Sequence, residues 1–136
     1  MKKRTLTIFL MCILLVAIFI IGFATFGGKK PYKDLDAAQI ASVTVHLIPP
    51  DATIQITEIE EFVAHLKDIV IYNEDNSYTD YTGQSVTFTL TMTDGTQTSI
   101  KECNPFFVID GVGYKTKYEP CEALNNYANR LLADTD

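Results

Sequence analysis

An uninterrupted apolar run near the N-terminus constrains this chain more than any other feature. Residues 6–26 contain no charged side chain, and this length is close to the roughly 20 residues that a helix needs to cross about 30 Å of hydrocarbon. The run lacks the polar face that a helix at the surface of a soluble domain has. Three basic residues precede it, and Gly27 and Gly28 follow it. The pattern predicts a transmembrane helix over 6–26 behind a cytoplasmic basic tail over 1–5.

The fate of this helix leaves three alternatives. A retained signal anchor is favoured, because the run is longer than the about 7–15 apolar residues of a cleaved secretory signal. Cleavage after Ala24, with Gly22 and Ala24 as the small residues before the cut, would instead release a secreted protein. Lipidation of Cys12 is disfavoured, because Met11 stands where lipoprotein signals carry a small residue.

The charges on the two sides of the run bear on topology and on partners. Lys2, Lys3 and Arg4 precede it, and Lys29, Lys30 and Lys33 follow it, so counting basic residues gives a tie. Because the leading cluster has the character of an n-region, we expect the remaining chain outside the cytoplasmic membrane. Eleven basic residues less these leading three leave 8 against 17 acidic ones, a net of −9. Such a charge repels nucleic acid and anionic lipid headgroups, so nucleic acid is not an expected partner.

Alternating apolar residues after Pro31 predict short strands. Apolar and polar side chains alternate over 42–47, 52–56 and 85–93, and β-branched or aromatic residues fill 69–72. Asp94-Gly95 predicts a type I′ turn before a returning strand at 96–101. A second hairpin, 106–109 with 113–117, surrounds Asp110-Gly111.

Two segments have helical spacing. Thr57 and Glu60 form a capping-box sequence, and an apolar stripe follows to about Asp68. Glu119-Pro120 opens a final helix whose stripe begins at Cys121. The order of elements predicts an α+β fold, with a small antiparallel sheet and two helices packed on one face. We assign 27–37 to a linker and 38–136 to the extracytoplasmic domain.

Five stretches carry a resemblance to a known domain: 44–50 (TVHLIPP), 70–72 (VIY), 83–88 (GQSVTF), 104–117 and 118–126. Together they resemble an uncharacterised extracytoplasmic domain of small membrane-anchored or secreted proteins in clostridia-like Gram-positive bacteria. The resemblance covers about Lys30 to Leu132. It implies a place outside the cell behind an N-terminal signal or anchor, and it assigns no functional residue.

Tyrosines and cysteines provide the candidate site residues. A group of tyrosines, which have an apolar body and a polar tip, clusters around the polar loop and the second hairpin and forms a candidate partner-binding patch: Tyr72, Tyr78, Tyr81, Tyr114 and Tyr118. Cys103 and Cys121 are a candidate disulfide in an oxidising compartment; the alternative is two separate thiols.

No catalytic or metal-binding motif stands out. His46 and His65 have no spacing that links them to a nucleophile. An EF-hand loop needs glycine at its sixth position and glutamate at its twelfth. Counted from Asn73, these positions are Tyr78 and Gln84, and we predict no metal or cofactor. The sequence therefore favours a non-enzymatic, membrane-tethered interaction or sensor domain with an unknown protein or cell-wall ligand. The alternatives are a cell-wall-directed enzyme that uses Asp/Glu carboxylates, and a secreted ligand carrier.

Overall fold

The computed structural model describes the backbone of residues 2–135 and the side chains of residues 2–20 and 27–135. Helix α1, Lys2–Phe26, contains the apolar run. Its described part from Lys2 to Ile20 makes no buried contact with the rest of the chain. By length and composition α1 can cross a membrane, which fits either a transmembrane anchor or a signal sequence.

A seven-stranded antiparallel sheet forms the body of the domain. Its strand order is β2-β1-β4-β5-β6-β7-β3. The bounds in chain order are β1 Ile40–Ile48, β2 Ala52–Ile56, β3 Ile71–Glu74, β4 Ser85–Met92, β5 Gln97–Cys103, β6 Phe106–Ile109 and β7 Val112–Thr116. Short 3-10 helices lie at Ala37–Gln39 and Ser77–Asp80.

Two helices cover one face of this sheet: α2, Ile59–Lys67, and α3, Tyr118–Asp134. The register places Val45 of β1 opposite Phe88 of β4, and Phe88 opposite Ile100 of β5. Phe62 of α2 lies 5.0 Å from Phe88, measured between ring centroids. Burying a large apolar side chain of this kind stabilises the fold by about 1.5–3 kcal/mol. The predicted α+β fold, with two helices on one face of an antiparallel sheet, is confirmed.

The predicted capping box at Thr57 is wrong. Helix α2 begins at Ile59, so its N-cap is Glu58, whose side chain makes no capping hydrogen bond. Thr57 therefore lies one position too early to cap the helix. A capping box forms instead at the 3-10 helix before β1, where the Asp36 carboxylate accepts from Ala38 N at 3.0 Å.

The predicted type I′ turn at Asp94-Gly95 is also wrong. Such a turn needs positive φ at both residues, and only Gly95 has it, at 88°. The Asp94 carboxylate accepts from the backbone N–H and the hydroxyl of Thr96, which favours a longer loop. The type I′ conformation occurs at the second hairpin, where Asp110 and Gly111 have φ of 48° and 85°.

The chain is bonded to the domain soon after α1 ends. Lys29 and Ile71 exchange two backbone hydrogen bonds of 2.8 Å, which add an isolated bridge beside β3. Tyr32 then packs edge-on against Phe107, and Leu35 packs against the core. From Lys29 onward, the segment 27–37 that was predicted as a linker therefore lies on the domain.

Candidate functional site

The two edges of the sheet differ in whether they are covered. Strand β3 has four residues, carries Glu74, and is bridged on its outer side by Lys29. Strand β2 has five residues (ATIQI), none of them charged. Within residues 2–135 no strand pairs with its outer side. An uncharged edge strand presents unpaired backbone N–H and C=O groups, which can accept a further strand.

The side chains of β2 fit such a contact. Thr53 and Gln55 are exposed, whereas Ile54 is half-buried and Ile56 is buried. Ile48, at the end of the neighbouring strand, has 47% of its surface exposed. An incoming strand would therefore meet backbone hydrogen-bonding groups, two polar side chains and one apolar contact.

The five tyrosines of the predicted patch do not share one exposed surface. Tyr72 and Tyr118 are exposed, at 40% and 56%. Tyr114 packs against the core. The Tyr78 hydroxyl donates to Gly111 O at 2.7 Å. Tyr81 is half-buried, and burial, followed by the nearby charge of Glu102, raises its pKa. A contact surface could use only the first two of the five without rearrangement.

A buried carboxylate is the most unusual chemical group in the domain. Glu102 lies on the helix-facing side of β5, opposite Val86 and Phe107, and is 1% exposed. Its Oε1 accepts from Asn104 N at 2.8 Å and from the Cys121 thiol at 3.2 Å. Its Oε2 accepts from Asn125 Nδ2 at 2.8 Å. These donors are neutral, so hydrogen bonds rather than a counter-charge hold the carboxylate.

Further amides extend this network toward the β1–β2 turn. The side chains of Gln84 and Asn129 donate to each other's oxygen atoms at 3.0 Å. Asn129 also donates to Asn125 O, and Gln84 donates to Pro49 O, each at 3.0 Å. The network joins α3 to β5 and to the loop before β4. The sequence did not predict this network, because the expected strand ended at residue 101, whereas β5 extends through Glu102 to Cys103.

Cys103 and Cys121, the candidate disulfide, are both free thiols in this structure. Neither side chain has any exposed surface. Burial raises the pKa of Cys103 to about 11. Burial and the adjacent Glu102 raise the pKa of Cys121 further. Buried, protonated thiols of this kind are poor nucleophiles.

The histidines also lack catalytic surroundings in the described residues. His46 Nε2 lies 2.6 Å from Asp51 Oδ1 at the exposed β1–β2 turn. The His65 ring lies 4.8 Å from the Tyr127 ring, and burial lowers its pKa. Neither has a hydrogen bond to a serine or cysteine in residues 2–135. In that range there is also no group of three or more His, Cys, Asp or Glu residues that could hold a metal ion.

A groove of about 500 Å³ lies between residues 34–37 and α2. Its walls carry Asp34, Asp36, Glu60 and Lys67, with Val63 among its apolar residues. A carrier of apolar ligands needs an enclosed and mostly apolar pocket. This charged groove does not have that character.

Comparison with protein-family models, with curated proteins and with solved structures finds no match for this chain. The resemblance to an extracytoplasmic domain of Gram-positive bacteria therefore stays a prediction. The features of the molecule that bear on its function are the two sheet edges, the buried Glu102 network and helix α1.

Proposed function

We propose that this chain is a non-enzymatic interaction module, anchored by α1 on the outer side of a cytoplasmic membrane. Its ligand would be an extended segment of a protein partner, which pairs with the open edge of β2. The uncharged, uncovered outer side of β2 is the observation that carries this proposal.

The proposed binding mode follows from the difference between the two edges. Natural sheets usually protect exposed edges with charges, prolines, bulges or covering segments. The β3 edge has such protection in Glu74 and Lys29. The β2 edge has none within Ala52–Ile56. Strand addition would use the unpaired backbone groups for affinity and the exposed Thr53, Gln55 and Ile48 for selectivity.

Two features support anchoring over release. The run 6–26 is longer than the apolar region of a cleaved signal. Gly28 and Lys29 fit directly against β3, so the folded domain begins within three residues of α1. The leading Lys2, Lys3 and Arg4 favour the N-terminus inside.

The buried network supports a structural rather than a catalytic use of Glu102. A glycosidase needs two carboxylates that both reach the substrate. Glu102 is 1% exposed and already accepts three hydrogen bonds. Among the described residues it is the one carboxylate that is buried. A substrate could not reach it without opening the contact between α3 and β5.

Photo-crosslinking in intact cells tests the proposed edge. A photoreactive amino acid replaces Gln55 on β2, and the matched control replaces Ser99, an exposed residue on the interior strand β5. We expect an adduct from position 55 that is absent from position 99. Thr53→Lys should abolish it, because a charge on an edge strand disfavours strand pairing.

Three outcomes would contradict the proposal. They are no adduct from position 55, equal adducts from positions 55 and 99, and an adduct that survives Thr53→Lys. An adduct with twice the mass of the chain would mean that the β2 edge pairs with a second copy, and would replace the proposed partner with self-association.

A further inference from the structure

A surface beside the α1 junction has a composition unlike the rest of the acidic domain. It comprises six exposed residues, which we call the junction surface: Lys29, Lys30, Lys33, Tyr72, Lys117 and Tyr118. We propose that the junction surface docks on anionic phospholipid headgroups of the membrane that α1 enters. This inference rests on the anchoring part of the proposed function and is independent of the β2 edge.

Covalent geometry keeps the junction surface close to the end of α1. Lys29 follows Phe26 by three positions, and three residues span at most about 10 Å. Lys29 is fixed to Ile71 by two backbone hydrogen bonds. The β3 edge must therefore lie within about 10 Å of the helix end, which is comparable to the depth of the headgroup layer if α1 spans the bilayer.

The junction itself is closely fitted rather than loose. Gly28 has φ of +75°, a conformation that residues with a side chain rarely adopt. A Cβ on Gly28 would lie 2.6 Å from Val70 Cγ1 and 2.8 Å from Tyr72 Cε1. The chain thus passes against the Tyr72 ring immediately before Lys29 forms its bridge to Ile71. The fit fixes the chain on the domain from Gly28, two residues after the end of α1.

The lysines of the junction surface are available to bind anions. Lys29 and Lys117 both lie beside β3, since Lys29 bonds to Ile71 and Lys117 N donates to Val70 O at 3.0 Å. In residues 2–135 the side-chain salt bridges of basic residues involve His46, Lys115 and Arg130, so none of the four lysines of the junction surface is paired.

The four lysines outnumber the acids that adjoin the junction surface in the sequence, although the domain as a whole is acidic. The four lysines are half of the 8 basic residues that follow the apolar run. The acids next to them along the chain are Asp34, Glu74 and Glu119. The expectation that the domain repels anionic headgroups holds for its average charge and not for this surface. Basic residues near a membrane bind anionic lipids, and tyrosines favour the interface.

Tryptophan fluorescence gives a direct test, because the chain has no tryptophan. The full chain with Tyr118→Trp is reconstituted into vesicles that contain lipids with a quencher at headgroup depth. Tyr118 is preferable to Tyr72 as the position of the reporter, because Tyr72 is held near the membrane by the junction itself. The matched control is Gln55→Trp on β2, which lies six strand spacings, or about 29 Å, from β3 across the sheet.

We expect the Tyr118→Trp chain to show at least twofold stronger quenching in vesicles with anionic lipid than in purely zwitterionic ones. The Gln55→Trp chain should show little quenching in either. High salt should remove the difference between the lipids, because exposed charges are screened. Lys117→Gln in the Tyr118→Trp background should reduce the quenching. Lys67→Gln, at an exposed lysine on α2, should leave it unchanged.

Three results would overturn the inference: equal quenching of the Tyr118→Trp chain in both lipids, stronger quenching of the Gln55→Trp chain than of the Tyr118→Trp chain, and equal effects of Lys117→Gln and Lys67→Gln. A chain that fails to co-float with vesicles would instead contradict the anchor. The two failures are therefore distinguishable in the same preparation.

Discussion

Replacing Asn125 by alanine tests how the domain holds its buried carboxylate. Asn125 Nδ2 donates to Glu102 Oε2 at 2.8 Å, and Glu102 has almost no contact with solvent. Asn125→Ala removes this donor and leaves Glu102 Oε2, a buried oxygen, without a partner. It also removes Asn125 Oδ1 as an acceptor for Asn129.

The expected cost follows from these contacts. A hydrogen bond contributes about 0.5–1.5 kcal/mol, and a buried acceptor left without a partner costs about 1–3 kcal/mol more. We therefore expect Asn125→Ala to lower the free energy of unfolding by about 2–4 kcal/mol, a large fraction of the about 5–15 kcal/mol of a typical domain. Asn126→Ala, on the exposed side of the same helix, should change it by less than about 0.5 kcal/mol.

Urea denaturation of the full chain in detergent provides the measurement. All seven tyrosines lie after the apolar run, so near-ultraviolet circular dichroism of the tyrosines follows the domain alone. With a slope of about 1–3 kcal/mol per molar urea, the Asn125→Ala midpoint should fall by at least about 0.7 M. If the Asn125→Ala and Asn126→Ala midpoints coincide, the assignment of Asn125 as a partner that stabilises Glu102 is wrong.

Three further predictions concern individual positions. Gly28→Val should lower the unfolding midpoint more than Gly95→Val, because both have positive φ but only Gly28 has atoms within 4 Å of the added Cβ; equal midpoints would contradict the close fit of the junction. Burial lowers the pKa of His65 from 6.5, so the unfolded chain binds more protons and the free energy of unfolding falls as pH drops through about 6.5. His65→Leu should flatten this decline in urea midpoints measured between about pH 5 and 7.5. An unchanged decline would contradict the role of His65. Asp36→Ala should lower the free energy of unfolding by about 1 kcal/mol because the 3-10 helix loses its cap, whereas Thr57→Ala should change it very little. A larger fall in the urea midpoint for Thr57→Ala would refute the assignment of Asp36, and not Thr57, as a cap.

Local periodicity was enough to predict the class of fold. The alternation at Val86, Phe88 and Leu90 identifies β4, because a strand with one buried face must repeat every two residues. The stripe that begins at Cys121 identifies α3 in the same way. Neither pattern depends on the strand order of the sheet.

Features that depend on tertiary contacts were missed. The capping-box sequence at Thr57 forms no cap, since α2 begins at Ile59 after Glu58, and its Phe62 and Leu66 pack in the core. The assignment of 27–37 to a linker did not anticipate Tyr32, which packs against Phe107, a residue distant in the sequence. Non-local contacts of this kind leave no periodic signal in the sequence.

The residues of the candidate site also depend on tertiary structure for their exposure and their partners. A cluster of tyrosines along the chain predicted a patch, but exposure is decided by the sheet, which leaves only Tyr72 and Tyr118 of the five exposed. The open edge of β2 depends on strand order, and order is not encoded in any one segment. Glu102 lies one residue beyond the strand predicted at 96–101, and its partners come from Asn104 and α3.

Thiol labelling in intact cells tests the central claim most directly, namely that α1 anchors the domain on the outer side of the membrane. Cys103 and Cys121 are fully buried, so Ser99→Cys adds an exposed thiol to a domain that otherwise has none. We predict that a membrane-impermeant maleimide labels the full-length Ser99→Cys chain before lysis, and that the labelled chain pellets with the membranes. Labelling that appears only after lysis, or full-length unprocessed chain in the detergent-free supernatant, would contradict the account.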